Sequence, residues 1–208
     1  SSRVTTERLQ RDPQNRLLSR MSMQRMDAES LRDSLLWVAG KLEDRPGGIP
    51  DGVSVDRDGL VSAIATARGG WRRSIYLQYR RTEIPTMLAT FDYPEMGPNC
   101  IERTVSIVSP QSLMLMNNRR VRKLAASFAR RVEKNVAKND GASPGDPAWN
   151  LHVDTVYQLA LSRSPGARER QLGIETLQKL VSDWQGDRQA ALETYCHTIL
   201  NSAAFIYI

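Results

Sequence analysis

Residues 119–137 read RRVRKLAASFARRVEKNVA. Val121, Leu124, Ala125, Phe128, Val132 and Val136 recur in steps of three and four, which sets them on one face of an α-helix, with arginine and lysine between them. A helix with so regular an apolar stripe packs against other elements, and the sequence on both sides supplies more helices of the same kind.

Toward the N-terminus, Ser109-Pro110 is a helix start: an oxygen-bearing cap precedes a proline whose missing N–H is not needed at the first helical position. That helix carries Leu113, Leu115 and Met116 and breaks at Asn117-Asn118. Asp146-Pro147 and Ser164-Pro165 repeat the same start chemistry. Residues 138–147, KNDGASPGDP, form a linker-like loop between sub-lobes 1–137 and 148–208. Beyond it, helices are expected at about 148–162, 166–184 and 188–202, the last carrying Leu192, Tyr195, Cys196 and Ile199.

Near the beginning, Leu31, Leu35, Val38, Ala39 and Leu42 define one helix face, with Asp27 as N-cap and Glu29 complementing the helix dipole. Residues 43–59, EDRPGGIPDGVSVDRDG, read as a long surface loop. Ser74–Tyr79 alternates with period two and is the best strand candidate. Pro85 opens a short helix presenting Met87, Leu88 and Phe91. The expected fold is all-α, or mainly α: one domain over residues 1–208, with about six to eight helices, long irregular loops and at most a minor strand.

With 40% hydrophobic and 25% charged residues, the chain is a folded globular one and not a disordered one. No apolar stretch approaches the roughly 20 residues of a membrane-spanning helix. The polar opening SSRVTTERLQRDPQNR lacks an initiator Met and suits a fragment of a longer chain better than a natural start. The net charge of +6 invites a nucleic-acid partner through the basic helix Arg119–Arg131. Glu and Asp interleave most of the positive clusters, however, and the simpler reading is solvated helix faces.

Tests for chemistry mostly return nothing. Cys196-His197 lacks the upstream cysteine of a covalent haem site, and His152 and His197 fall on separate helices. There is no G-x-S-x-G, P-loop or G-x-G-x-x-G, so no catalytic residue, metal ligand or cofactor is assigned within the segment. Cys100 and Cys196 are the only cysteines; they could form one bridge or remain two separate thiols.

One concentration of polar chemistry stands out, residues 71–117. Arg80, Arg81, Asp92 and Arg103 could form an anion site, because guanidinium groups present planar, bidentate donors to carboxylate, phosphate or sulfate. Alternatively Asp92 neutralises one arginine as an internal strut. Gln111 and Asn117 lie on the following helix, where they could satisfy backbone groups of the loop.

The pattern R-S-x-Y-x-x-x-x-R (Arg73 to Arg81), M-L-x-x-F-D-x-P (Met87 to Pro94), Cys100, Arg103 and P-Q-S-L-x-L-x-N (Pro110 to Asn117) resembles a C-terminal domain of unknown function found in large exported planctomycete proteins. D-P-x-N-R-L-L (Asp12 to Leu18), R-M-D-A-E-S-L-R-D-S-L-L (Arg25 to Leu36) and L-x-x-x-C-H-x-I-L-N-S-x-x-F-I-Y (Leu192 to Tyr207) extend the likeness over nearly the whole chain. The resemblance implies a periplasmic or otherwise exported location and a haem c on a separate N-terminal cytochrome c-like domain. The partners it implies are other domains of the same parent chain or a periplasmic protein. It carries no catalytic residue. With no catalytic motif assembled and an abrupt start, the leading reading is a helical interaction or scaffold module, and the alternative is an enzyme or binding domain for a sulfated or uronic glycan that uses the arginine–aspartate cluster of residues 71–117.

Overall fold

The computed structural model describes residues 5–64, 70–94, 103, 105–140 and 149–208. The elements in chain order are α1 (Thr6–Arg11), α2 (Ala28–Val38), β1 (Val53–Val55), β2 (Val61–Ala63), α3 (Thr86–Thr90), α4 (Ser109–Asn117), α5 (Arg119–Asp140), α6 (Asn150–Leu161), α7 (Ala167–Asp183), α8 (Arg188–Leu200) and α9 (Ala203–Ile206). The mainly-α architecture expected from the periodicity is the one observed.

The central element is α5, which packs on α2, α4, α6 and α8. All six residues of its apolar stripe are buried, Phe128 and Val132 completely. One apolar cluster runs through the molecule, joining Leu31 and Leu35 of α2 to Phe128 of α5, Val153 of α6, Leu177 of α7 and Leu192 and Leu200 of α8. It crosses from one of the expected sub-lobes into the other. Arg131 on α5 donates to the carbonyls of Trp37 (2.6 Å) and Val38 (3.0 Å), supplying partners that the last turn of α2 cannot find within its own helix. The segment before α2 pairs with the C-terminal residues: Gln24 and Ile208 exchange two backbone hydrogen bonds, and the Met26 N–H donates to Ile206.

Several helix starts follow the sequence chemistry. Asp27 caps α2 by accepting the Ser30 N–H at 2.7 Å. Asn118 makes the break between α4 and α5, its side-chain oxygen accepting the N–H groups of Arg120 and Val121. Two starts are shifted. Ser109 is the first residue of α4, and Val108 occupies the cap position, with Gln111 reaching back to its N–H at 3.4 Å. Pro165 precedes α7 instead of opening it: Gly166 is the cap residue, and Glu169 accepts its N–H at 2.8 Å. Asp146-Pro147 lies outside the described residues.

The strand expectation needs correction. Ser74–Tyr76 forms a single 3-10 turn, and the antiparallel pair lies instead inside the stretch read as loop and just beyond it, in register Val53↔Ala63, Ser54↔Ser62 and Val55↔Val61. Burial alternates only over residues 72–75, where Arg72 and Ser74 point inward and Ile75 is 81% exposed; Tyr76, Leu77 and Gln78 are all half-buried. The polar side chains turn in because carboxylates and carbonyls wait for them there. The hairpin turn between β1 and β2 is held by Asp56, whose carboxylate accepts the N–H groups of Asp58 and Leu60.

Candidate functional site

The chemistry concentrated around residues 71–117 resolves into separate arginine–aspartate knots, each tying an irregular segment to a helix or hairpin. In the first, Arg72 donates to Asp51 Oδ1 from Nε (2.9 Å) and Nη2 (2.6 Å). Its two terminal nitrogens also donate to the carbonyls of Gly47 (2.7 Å) and Ile49 (2.6 Å). The Gly70 N–H donates to the other Asp51 oxygen at 2.7 Å. Burial pushes the Asp51 carboxyl up, but the bonds from Arg72 and Gly70 outweigh it and hold the group below its ordinary value.

The second knot joins residues 70–74 to α2. Arg32 donates to the carbonyls of Gly70 and Arg72, each at 2.9 Å, and to Ser74 Oγ at 3.2 Å. Asp33 accepts both the N–H (2.8 Å) and the hydroxyl (2.7 Å) of Ser74. The Gly70 and Arg72 carbonyls and the Ser74 N–H and hydroxyl therefore meet a fixed donor–acceptor pair, Arg32 and Asp33, on α2.

Asp92 forms the third. It sits at φ +63°, a left-handed conformation that aspartate tolerates better than most residues. Its carboxylate accepts from Arg25 Nη2 (2.6 Å), from the Ser106 N–H and hydroxyl (both 2.8 Å) and from Gln111 Nε2 (3.3 Å). Burial raises its pKa; the Ser106 bonds, the Arg25 charge and Gln111 lower it further than burial lifts it. Arg25 lies over the Phe91 ring at 5.3 Å and donates to the Phe91 carbonyl. Asp92 thus faces Arg25, a residue outside the run.

The predicted site residues are not gathered into one place. Of the six, Asp92 and Gln111 meet. Arg80 pairs with Glu83 at 2.8 Å on the surface, Arg81 is exposed, and neither touches Asp92. Arg103 grips Glu29 with both terminal nitrogens, at 2.9 and 2.8 Å, near the start of α2. Asn117 is exposed at the end of α4. Cys196 is a fully buried thiol whose pKa burial drives well up; Cys100 lies outside the described residues. The residues that complete the knots, Arg25, Arg32, Asp33 and Asp51, were not marked as site residues. Arg25, Arg32 and Asp33 are letters of the R-M-D-A-E-S-L-R-D motif, so a signal was there.

The two histidines sit apart, each against different neighbours. His197 Nε2 lies 3.0 Å from the Leu115 carbonyl, which can only accept, so that nitrogen carries the proton. His152 packs edge-on to Trp149, with Glu133 at 3.5 Å.

A fourth polar assembly lies near the N-terminus. Asp12 accepts the N–H groups of Arg16 (2.7 Å) and Leu17 (3.0 Å), while Asn15 both donates to and accepts from the Arg20 backbone. The Arg20 guanidinium returns to the carbonyls of Asp12 and Pro13. This loop is cross-braced by its own side chains, and it presents Leu17 and Leu18 outward at 79% and 81% exposure.

The fold is therefore a mainly-α domain whose irregular segments are pinned by arginine–aspartate knots. The chain belongs to the family described as PSD1, protein of unknown function (DUF1553), whose model matches residues 1–177. None of the curated proteins and none of the solved structures compared with the chain matches it.

Proposed function

We propose that this domain is a non-catalytic helical interaction module of a larger exported protein, docking a neighbouring domain of the same parent chain through the loop Asp12–Met23. The observation that carries this reading is the braced loop itself. Exposed leucines on a slack loop would collapse onto the nearest apolar surface, whereas here the Asp12, Asn15 and Arg20 bonds hold Leu17 and Leu18 outward. Met21 and Met23, 55% and 62% exposed, extend the apolar surface, and methionine adapts readily to a partner's shape.

The knots support the non-catalytic part. The carboxylate best placed to act as acid or base, Asp92, has its lone pairs engaged by Arg25, Ser106 and Gln111, and a carboxylate so held below its usual pKa is a poor proton acceptor at neutral pH. The exported location and a haem on a preceding domain rest on the resemblance alone. The glycan reading would need Arg80 and Arg81 to converge with Asp92, and the nucleic-acid reading an uninterrupted basic face on α5, where Arg131 is already committed to the end of α2.

The test uses the native gene product, recovered from its own cell with an antibody to this domain. A species much heavier than the 23.4 kDa of this chain, with haem, and with cross-links from Arg20 or Met21 to another domain, supports the proposal. Leu17→Asp with Leu18→Asp should remove those cross-links without lowering the thermal midpoint of the isolated chain. A haem-free product of 23.4 kDa, or cross-links unchanged by the substitutions, overturns it.

A further inference from the structure

A cleft of about 490 Å³ lies between α2 and the first half of α5, within the roughly 300–1,000 Å³ typical of small-molecule sites. Its walls are apolar where they meet the core: Leu36 from α2, Trp71 from the segment before the 3-10 turn, Met87 from α3 and Leu124 from α5. Lys41, Arg120, Lys123 and Arg130 also line it, and no aspartate or glutamate does among the described residues.

The cations of this cleft differ in state. Arg32, which reaches its inner end, is spent on the carbonyls of Gly70 and Arg72. Arg120 is half-buried, and its guanidinium has no acidic or hydrogen-bonding partner among the described residues. Burial alone lowers its pKa, and its charge in turn disfavours the charged form of Arg32. Elsewhere in the molecule buried guanidinium groups are matched, Arg72 by Asp51 and Arg25 by Asp92. The first turn of α5 also holds no acid, although that is the end of a helix where acids are favoured. A partly desolvated guanidinium costs free energy unless an anion meets it.

We infer that this cleft binds an amphipathic monoanion, its carboxylate or sulfonate on Arg120 and its apolar body against Trp71, Leu36, Met87 and Leu124. Arg120 offers the forked donor geometry that a carboxylate accepts. Lys41 and Lys123 stand at exposed positions on the rim, where they raise the local concentration of anions, while Arg130 beside them already contacts Glu193 at 3.9 Å and Ser127 at 3.0 Å. With no acid on the lining among the described residues, the cleft disfavours cationic and zwitterionic ligands, and the apolar floor gives a small hydrophilic anion nothing to bury. This site is independent of the Asp12–Met23 loop.

Calorimetric titration of the chain with octanoate, octanamide and acetate separates these contributions. Octanoate should bind at one per chain and at least about tenfold tighter than octanamide, the neutral isostere, because a hydrogen bond to a charged group contributes about 1.5–3 kcal/mol. Acetate should fail to saturate. Arg120→Gln should remove about tenfold or more of the octanoate affinity while leaving that of octanamide unchanged. Lys123→Glu, at a solvent-exposed rim position that leaves folding untouched, should weaken octanoate and serves if the Arg120 variant does not fold. The inference falls if octanoate gives no saturable heat, if octanamide binds equally well, or if both variants bind octanoate like the wild type.

Discussion

Arg72 Nη2 and Asp51 Oδ1 stand 2.6 Å apart where the two side chains retain only 1% and 4% of their exposure. The pair does more than neutralise itself. With Asp51 accepting the Gly70 N–H and Arg72 donating to Gly47 and Ile49, it fixes a Gly/Pro-rich segment that has almost no regular structure of its own.

Arg72→Ala should therefore be far more disruptive than Arg80→Ala, which removes only a surface pair. Breaking one side of a buried pair leaves an uncompensated charge. We expect the thermal midpoint to fall by about 10 °C for Arg72→Ala and by about 1 °C for Arg80→Ala. Differential scanning fluorimetry checks both; equal effects would mean that the Asp51 knot does not pin the loop.

Asp92 supplies the pH dependence. Its folded pKa is depressed, so its contribution to stability is fully present above the ordinary carboxylate pKa of about 3.9 and is lost as pH falls through the lower folded value. Asp51 shares the direction. Asp92→Asn keeps the left-handed backbone, which asparagine also tolerates, and removes the charge facing Arg25. The variant should be less stable than the wild type at pH 7, and the difference should shrink as pH falls below about 4. Urea denaturation at pH 7 and pH 3 reads this directly; a difference independent of pH would show that the carboxylate charge is not what matters.

These two knots also show where the sequence stops being legible. Helical periodicity placed α5 and the helices around it because an apolar stripe has one physical use, burial. The Ser74–Tyr79 alternation misled because period two says only that successive side chains face opposite ways, and here Arg72 and Ser74 face in while Ile75 faces out. Asp92 and Gln111 could be singled out as polar residues at unusual positions, but their partners Arg25 and Ser106 lie 67 and 14 residues from Asp92. No local pattern reveals such pairings. The three-residue strands β1 and β2 are too short to generate a periodic signal.

Cys196 offers a test at another depth. The thiol is completely buried, and burial raises its pKa well above the usual value, which suppresses the reactive thiolate. Iodoacetamide at pH 8 should leave Cys196 unmodified in the folded chain and label it promptly in denaturant without reductant. Peptide mass spectrometry distinguishes the outcomes. Labelling that requires reductant after unfolding would mean that Cys196 is bridged and not a free thiol.

Gly173 on α7 lies directly against Tyr195 on α8. A Cβ built on Gly173 would come within 2.6 Å of the Tyr195 hydroxyl and 3.0 Å of both Val153 methyl groups. The missing side chain is what allows α6, α7 and α8 to meet at this point. The Tyr195 hydroxyl is itself buried with no hydrogen-bond partner among the described residues, and burial raises its pKa. Gly173→Ala should cost about 1–3 kcal/mol through overpacking, although alanine is the better helix former. Tyr195→Phe removes both the clashing oxygen and an unsatisfied polar group, so it should be neutral or stabilising by up to about 1 kcal/mol. In the double variant the Val153 contacts persist but the shortest one is gone. A double-mutant cycle in urea should then show Tyr195→Phe recovering part of the loss caused by Gly173→Ala. Strict additivity would place the constraint on Gly173 at Val153 alone.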